Sequence, residues 1–186
     1  GIMKQVDPAG EVGLFLEIDP DLINGAQLEI FSQIPSRLNF GVGVQSLDPE
    51  VLHRVGCPAH PADMERNLRA LAGLGTVMVE IMLGLPGDTP DSYRRTLDFV
   101  LGLPTSLIVF RTIIAPGTEL WQQADSLELD YDPETFVLNS SPGFSADELG
   151  RLEQETINSL AAASRPNGQR VTYYSASDVL MHQSGL

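Results

Sequence analysis

The chain has 186 residues, a formal net charge of −14 and a single cysteine, Cys57. Its length and its 42% of hydrophobic residues indicate a globular chain with a core of its own. The acidic charge argues against nucleic-acid or membrane binding, because contacts with phosphate groups need Lys and Arg. One cysteine excludes an intrachain disulfide, and no metal site can be built from cysteines of this chain alone.

Two negative features of the sequence bear on location. No apolar stretch reaches the roughly 18 to 20 residues that a membrane-spanning helix needs. No segment with the character of a signal peptide is seen at the start. We therefore expect a cytoplasmic protein.

Four short apolar runs lie along the first two thirds of the chain, at residues 12–18, 38–44, 77–83 and 107–114. Each is rich in β-branched or aromatic residues and has the length of a strand. Most are apolar at every position, which is typical of parallel strands covered by helices.

Five places in the sequence put a residue that can cap a helix directly before a proline. Proline is well suited to the first helical position, because its missing N–H would be unpaired there, and the residue before it supplies an acceptor. We predict helix starts at all five, which are residues 19–21, 48–50, 60–62, 89–91 and 132–134.

Strands and helices thus alternate, which predicts an α/β fold with about four parallel strands and flanking helices. We assign this unit to residues 1–126. An irregular linker follows, then a helix from the capping box at 145–148 to about Ser164, ended by "RPNG" at 165–168. The tail up to residue 186 could add a strand or an arm.

Three predicted strands carry a polar side chain near their carboxyl ends, where parallel sheets bind ligands: Glu17, Gln45 and Glu80. Carboxylates and an amide on neighbouring strands could bind sugar hydroxyls or a cationic group. The alternative is that each of these three side chains is only exposed to solvent at a strand end or caps a helix. Ser46 could suggest a nucleophile, but no histidine partner is evident and a role at the start of the following helix fits as well. The three histidines lack metal-ligand spacing.

Four motifs occur in order along the chain: "EIDPD", "LNFGVGVQSLDPEVLHRVG", "VEIMLGLPGDTPDSYRRTLDFV" and "VFRTIIAPGTEL". Together they resemble the later part of the radical S-adenosylmethionine (radical SAM) enzymes. The first resembles the third barrel strand of the oxygen-independent coproporphyrinogen oxidase-like branch. The stretch from "PGTELW" to "SADELGRL" resembles the cobalamin-binding radical SAM group.

The resemblance implies the third to sixth strands of a partial (βα)6 barrel plus a C-terminal helix, with residues 127–186 forming linker, helix and tail. In the family, a [4Fe–4S] cluster cleaves SAM to a radical, and the cluster cysteines lie after the first strand. We therefore expect a fragment of a longer oxidoreductase or transferase, inactive alone, whose full-length form uses SAM and [4Fe–4S], with cobalamin as a further candidate cofactor.

The resemblance also implies which residues bind the cofactor. Glu17 and Gln45, with Ser46 beside it, fall where the family contacts the SAM ribose or amino-acid part. Glu80 is at a position that faces the ribose in the family, whereas Met82 and Ile113 are at positions that flank the adenine. The family often has an arginine near position 57 that meets the SAM carboxylate, and this chain has Cys57 there.

Two other functions fit the residues. One is a non-radical (βα)-barrel lyase or hydrolase that uses the carboxylates as acid and base. The other is a non-catalytic half-barrel whose exposed sheet edges self-associate or pair with the missing half. The small-molecule substrate is not specified by the sequence.

Overall fold

The computed structural model describes residues 5, 7, 9–57, 61–163 and 170–174. Within them, helices and strands alternate through most of the chain, as the sequence predicts. In chain order they are β1 Gly13–Ile18, α1 Gly25–Ser32, β2 Arg37–Gln45, α2 Pro49–Arg54, α3 Pro61–Ala72, β3 Thr76–Leu83, α4 Pro90–Leu101, β4 Ser106–Arg111, α5 Glu119–Gln122, β5 Asp130–Tyr131, β6 Leu138–Ser140, α6 Ala146–Ala162 and β7 Val171–Tyr174.

The main sheet is parallel throughout and has the strand order β1-β2-β3-β4-β7. The α/β architecture and the four predicted parallel strands are confirmed. A fifth strand, β7, comes from the tail, for which the sequence allowed either a strand or an arm. The linker predicted to be irregular contains the antiparallel pair β5–β6.

The two faces of this sheet differ. On β3, Val77, Val79, Ile81 and Leu83 are buried and belong to the hydrophobic core. The alternate residues, among them Glu80, are only partly buried or exposed. Successive side chains of a strand point to opposite faces, so one face carries the packed core and the other is open. We call the second face the inner face.

Three of the predicted helix starts are confirmed with their caps. The Asp48 side chain accepts a hydrogen bond from the N–H of Glu50, and Thr89 accepts from the N–H of Ser92. Ser145 and Glu148 form the predicted capping box of α6. α3 begins at Pro61, although His60, its predicted cap, lies outside the described residues, as does "RPNG".

Two predicted helix starts are wrong. At 19–21 the Asp19 carboxylate accepts from the N–H of Asp21 in a turn, and α1 begins only after Asn24. At 132–134 the Asp132 carboxylate accepts from two following N–H groups and closes the turn between β5 and β6. An Asp before a proline satisfies nearby N–H groups equally well in a turn and in a helix.

Among the described residues, no helix combines the length and the apolar character needed to cross a membrane.

Candidate functional site

Two cavities lie side by side at the carboxyl ends of the strands, on the inner face. One is lined by acidic residues and has a volume of about 300 Å³. The other is mainly apolar and has a volume of about 290 Å³. Glu80 lines the first and Met82 the second, two residues apart on β3, a separation of roughly 6.6 Å along the strand. The cavities are therefore close enough to hold parts of one ligand.

The acidic cavity brings together Glu17 of β1 and Glu80 of β3, as the sequence predicts. The strand between them contributes Gly41 and Gly43 to the lining, and the Gln45 side chain lies over Gly43, with its Nε2 2.7 Å from where a Cβ at that glycine would be. Asp19 also lines the cavity. Three carboxylates around one cavity favour a ligand that donates hydrogen bonds or carries positive charge.

Glu80 is half-buried, and burial raises the pKa of its carboxyl above the usual value. The charge of Glu17 raises it further. Within the described part of the chain, Glu80 has no hydrogen-bond or ion-pair partner. A partly desolvated carboxylate without a partner gains when a ligand hydroxyl or cation reaches it.

The apolar cavity brings together Gln45, Met82 and Ile113, three residues that the sequence assigned to cofactor binding. A register shift in the β2–β3 pairing falls between Gly43 and Gln45, and Gln45 has a φ of 61°. Its side-chain Oε1 is buried and has no hydrogen-bond partner in the described structure. This oxygen is available to accept a hydrogen bond from a ligand donor.

The remaining walls of the apolar cavity were not predicted from the sequence. They come from the end of α2 and the residues after it, from Leu85 after β3, and from α5 with the residues on either side of it. The side chains that complete the lining are Arg54, Val55, Cys57, Leu85, Thr118, Glu119, Leu120 and Gln123. The turn "PGTEL", quoted above for its family resemblance, was the signal available for the α5 wall.

Ser46 lies apart from both cavities. It is fully buried, and its hydroxyl oxygen accepts a hydrogen bond from the N–H of Asp48. This hydrogen bond orders the chain directly before α2. It agrees with the interpretation of Ser46 as a residue at the start of that helix, and not with that of a nucleophile.

The residues that the structure describes do not fit an iron–sulfur cluster. No group of three His, Cys, Asp or Glu side chains among them could hold a metal ion. Cys57 is the only cysteine in the sequence and is exposed. The nucleoside part of SAM fits better, since Glu80 and Gln45 offer unpartnered acceptors next to apolar walls.

No family model matches the sequence, but three curated proteins are similar to it. The heme chaperone HemW of Bacillus subtilis is 23% identical over 94% of this chain and 47% of its own length. The oxygen-independent coproporphyrinogen III oxidase of Pseudomonas aeruginosa is 29% identical over 84% and 31%. The mitochondrial radical S-adenosyl methionine domain-containing protein 1 of Danio rerio is 27% identical over 77% and 33%. The chain therefore spans less than half the length of each of these relatives.

Solved structures share the fold. Coproporphyrinogen III oxidase (HemN) of Escherichia coli, a radical SAM enzyme, matches with a TM-score of 0.65 and 22% identity over 87% of this chain and 36% of that one. The radical SAM methyltransferase TsrM of Kitasatospora setae matches with a TM-score of 0.56 and 22% identity over 67% and 25%. In sequence and in fold, this chain is therefore similar to proteins of the radical SAM superfamily.

Proposed function

We propose that this chain forms the nucleoside-binding part of a radical SAM enzyme, an oxidoreductase or transferase. The observation that carries the proposal is Glu80, a partly buried carboxylate without a partner among the described residues. It lines the acidic cavity, two residues before Met82, which lines the apolar cavity. An adenosine group has the matching chemistry, since ribose hydroxyls donate hydrogen bonds and adenine has flat faces that pack on apolar side chains.

Each cavity takes one part of the ligand in this proposal. Glu80 and Glu17 accept hydrogen bonds from the ribose hydroxyls. Met82 and Ile113 pack on the adenine, and the free Oε1 of Gln45 accepts from a ligand N–H. These roles agree with those that the family resemblance implies.

The iron–sulfur cluster belongs to a part of the enzyme outside the described residues. The proposal therefore treats this chain as a fragment that is inactive alone, with the cluster cysteines supplied from elsewhere in a longer protein. Finding no closely spaced cysteine triplet in that longer protein would contradict this part of the proposal. Cobalamin is included as a second cofactor because the chain resembles TsrM, whose solved structure holds cobalamin and a [4Fe–4S] cluster.

Binding of a plain nucleoside tests the proposal without the cluster. We expect 5′-methylthioadenosine to bind the 186-residue chain saturably in calorimetry or equilibrium dialysis. Glu80→Ala removes the ribose acceptor, so it should weaken binding roughly tenfold. Thr76→Ala, an exposed change at the other end of the same strand face, is the matched control and should leave affinity unchanged. Equal affinities for the two variants would contradict the proposal.

SAM itself should bind this chain weakly. In the family the cluster holds the methionyl end of SAM, and the described residues offer no substitute cluster site. A sub-micromolar affinity of the isolated chain for SAM would contradict the division of the site between this chain and another part of the enzyme.

A second candidate function is that of an interaction module. β1 is an edge strand that pairs with β2 alone among the described strands, and Phe15 on its inner face is 55% exposed. Unpaired edges can add a strand from another chain or from the rest of a longer protein. Light scattering over a range of concentrations tests self-association, and a monomer at all concentrations would contradict it.

A further inference from the structure

Asn67 is a buried polar side chain of α3, only 2% exposed. Its Nδ2 donates hydrogen bonds to the carbonyl oxygens of Pro20, at 2.7 Å, and of Ile23, at 3.0 Å. Both carbonyls belong to the turn between β1 and α1, more than 40 residues earlier in the chain. An asparagine amide carries two N–H donors on one nitrogen, so this single side chain serves both carbonyls.

The turn begins where the sheet stops holding the chain, since the pairing of β1 with β2 ends at Ile18. Within the turn, the N–H of Leu22 donates to the carbonyl oxygen of Asp19, and the N–H of Asp21 donates to the Asp19 carboxylate. These two bonds fold the turn on itself. The two bonds from Asn67 attach it to a helix of the covered face of the sheet.

The end of β1 forms one wall of the acidic cavity. Glu17 and Asp19, on either side of Ile18, both line it. Glu17 is the residue before the last in β1, and β1 is the edge strand of the sheet, with β2 as its neighbour. The ends of edge strands open readily, because few bonds hold them. The place of the Glu17 carboxylate therefore depends on how firmly the following turn is held.

We propose that Asn67 is a positioning residue for the acidic cavity. By anchoring the turn after β1 to α3, it holds the Glu17 carboxylate where this group accepts hydrogen bonds from the ribose. The inference rests on the proposed function, since it takes the ligand of that cavity to be a ribose. Asn67 does not itself line the cavity, so it acts on the ligand through Glu17.

Two probes differ only in the groups that Glu17 meets. Adenosine has the 2′ and 3′ hydroxyls of the ribose, and 2′,3′-dideoxyadenosine lacks both. Equilibrium dialysis measures the affinity of each probe for the parent 186-residue chain, for Asn67→Ala, for Glu17→Ala and for the chain with both changes. Leu68→Val is the control, because Leu68 is the next residue of α3 and is fully buried. This change loosens the packing of the same helix and keeps both hydrogen bonds of Asn67.

We expect Asn67→Ala to weaken adenosine binding roughly fivefold, because a misplaced carboxylate loses part of a charge-assisted hydrogen bond. Binding of 2′,3′-dideoxyadenosine should not change, and Leu68→Val should keep the parent ratio of the two affinities. In the Glu17→Ala chain, Asn67→Ala should weaken adenosine binding no further, since no carboxylate is left there to position. A role in stability alone would change the affinities for both probes alike.

The outcomes separate this inference from the proposed function. If adenosine binds and Asn67→Ala changes both affinities equally or neither, the inference is wrong and the proposed function stands. The same holds if the effects of Asn67→Ala and Glu17→Ala on adenosine binding add in full. If neither probe binds the parent chain, the nucleoside site is wrong and the inference fails with it.

A measurement on the parent chain decides the question if Asn67→Ala does not fold. The side-chain amide signal of Asn67 in NMR should shift at saturation with adenosine and not with 2′,3′-dideoxyadenosine. The same response to both probes, or to neither, would contradict the inference.

Discussion

The two faces of the central sheet use ionisable side chains in opposite ways. Arg111, at the end of β4, points to the helix-covered face and is 8% exposed. Its guanidinium donates two hydrogen bonds to the carbonyl oxygen of Leu138 and lies 3.5 Å from Glu153 of α6. Glu80, on the inner face of the neighbouring strand, has no such partner among the described residues. A charge with partners contributes to the fold, whereas a desolvated charge without them is available to a ligand.

The largest expected effect tests the covered face. Ile81→Ala removes a fully buried side chain of β3 from the core. We expect the free energy of unfolding to fall by about 2–5 kcal/mol, because a cavity is left and apolar burial is lost. Urea denaturation followed by circular dichroism measures it. A loss below about 1 kcal/mol would mean that this face is not packed as described.

Arg111 is buried and Arg94 is exposed, and each forms an ion pair with a glutamate of α6, so the two can be compared. Arg111→Ala leaves the Leu138 carbonyl without its two guanidinium donors, so we expect a loss of about 1–3 kcal/mol. Arg94→Ala breaks an exposed ion pair with Glu155 and should cost less than about 1 kcal/mol. Equal losses in urea denaturation would contradict the structural role of Arg111.

Met82 tests the inner face of the same strand. It is adjacent to Ile81 but only partly buried, and it lines the apolar cavity. We expect Met82→Ala to change the free energy of unfolding by less than about 1 kcal/mol and to weaken 5′-methylthioadenosine binding several-fold. If Met82→Ala matched Ile81→Ala in stability and bound the nucleoside normally, the contrast between the faces would fail.

The smallest expected effect is a gain of stability. Burial and Glu17 raise the pKa of Glu80 in the folded chain above its usual value of 4.5. The free energy of unfolding therefore falls as pH rises from 4.5 through the folded-state pKa, because the carboxylate becomes ionised in a partly desolvated site. Glu80→Gln removes that cost, so the variant should be more stable than the parent chain at pH 7.

The difference in stability between Glu80→Gln and the parent chain should shrink as pH falls below 4.5, where the parent carboxyl is protonated in both states. The exposed Glu29→Gln is the control. Urea denaturation at several pH values measures both variants. A Glu80→Gln chain less stable than the parent at pH 7 would indicate that Glu80 has a structural partner.

The sequence predicts the strands because each has a continuous apolar run, and β3 shows this most clearly. Glu80 stands out for the same reason, as a carboxylate inside such a run. The polar strand ends on β1 and β2 could likewise be placed at one edge, since parallel strands all end there. Chain order and strand spacing were therefore enough to bring Glu17 and Glu80 to one cavity.

Other features depend on contacts that no local pattern encodes. β7, "VTYY", is short and partly polar, and its place beside β4 is set by pairing across more than 60 residues. The Asp-Pro pairs at 19–20 and 132–133 occur in turns, because an Asp-Pro pair suits a turn as well as a helix start. Which of the two forms depends on the packing of the neighbouring elements. The Arg54 side chain lies against Gly87, in the turn before α4, and this contact depends on how α2 packs against a turn more than 30 residues later.

The central claim is that the carboxyl end of the inner face binds an adenosine group. Methyl NMR of the full chain, labelled at Met and Ile, tests it during titration with 5′-methylthioadenosine. We expect saturable shifts at Met82 and Ile113, which line the apolar cavity, and none at Met64, which is fully buried in the core. Shifts confined to Met78, which lines a different cavity with Phe15, or no shift at Met82 at saturation, would contradict it.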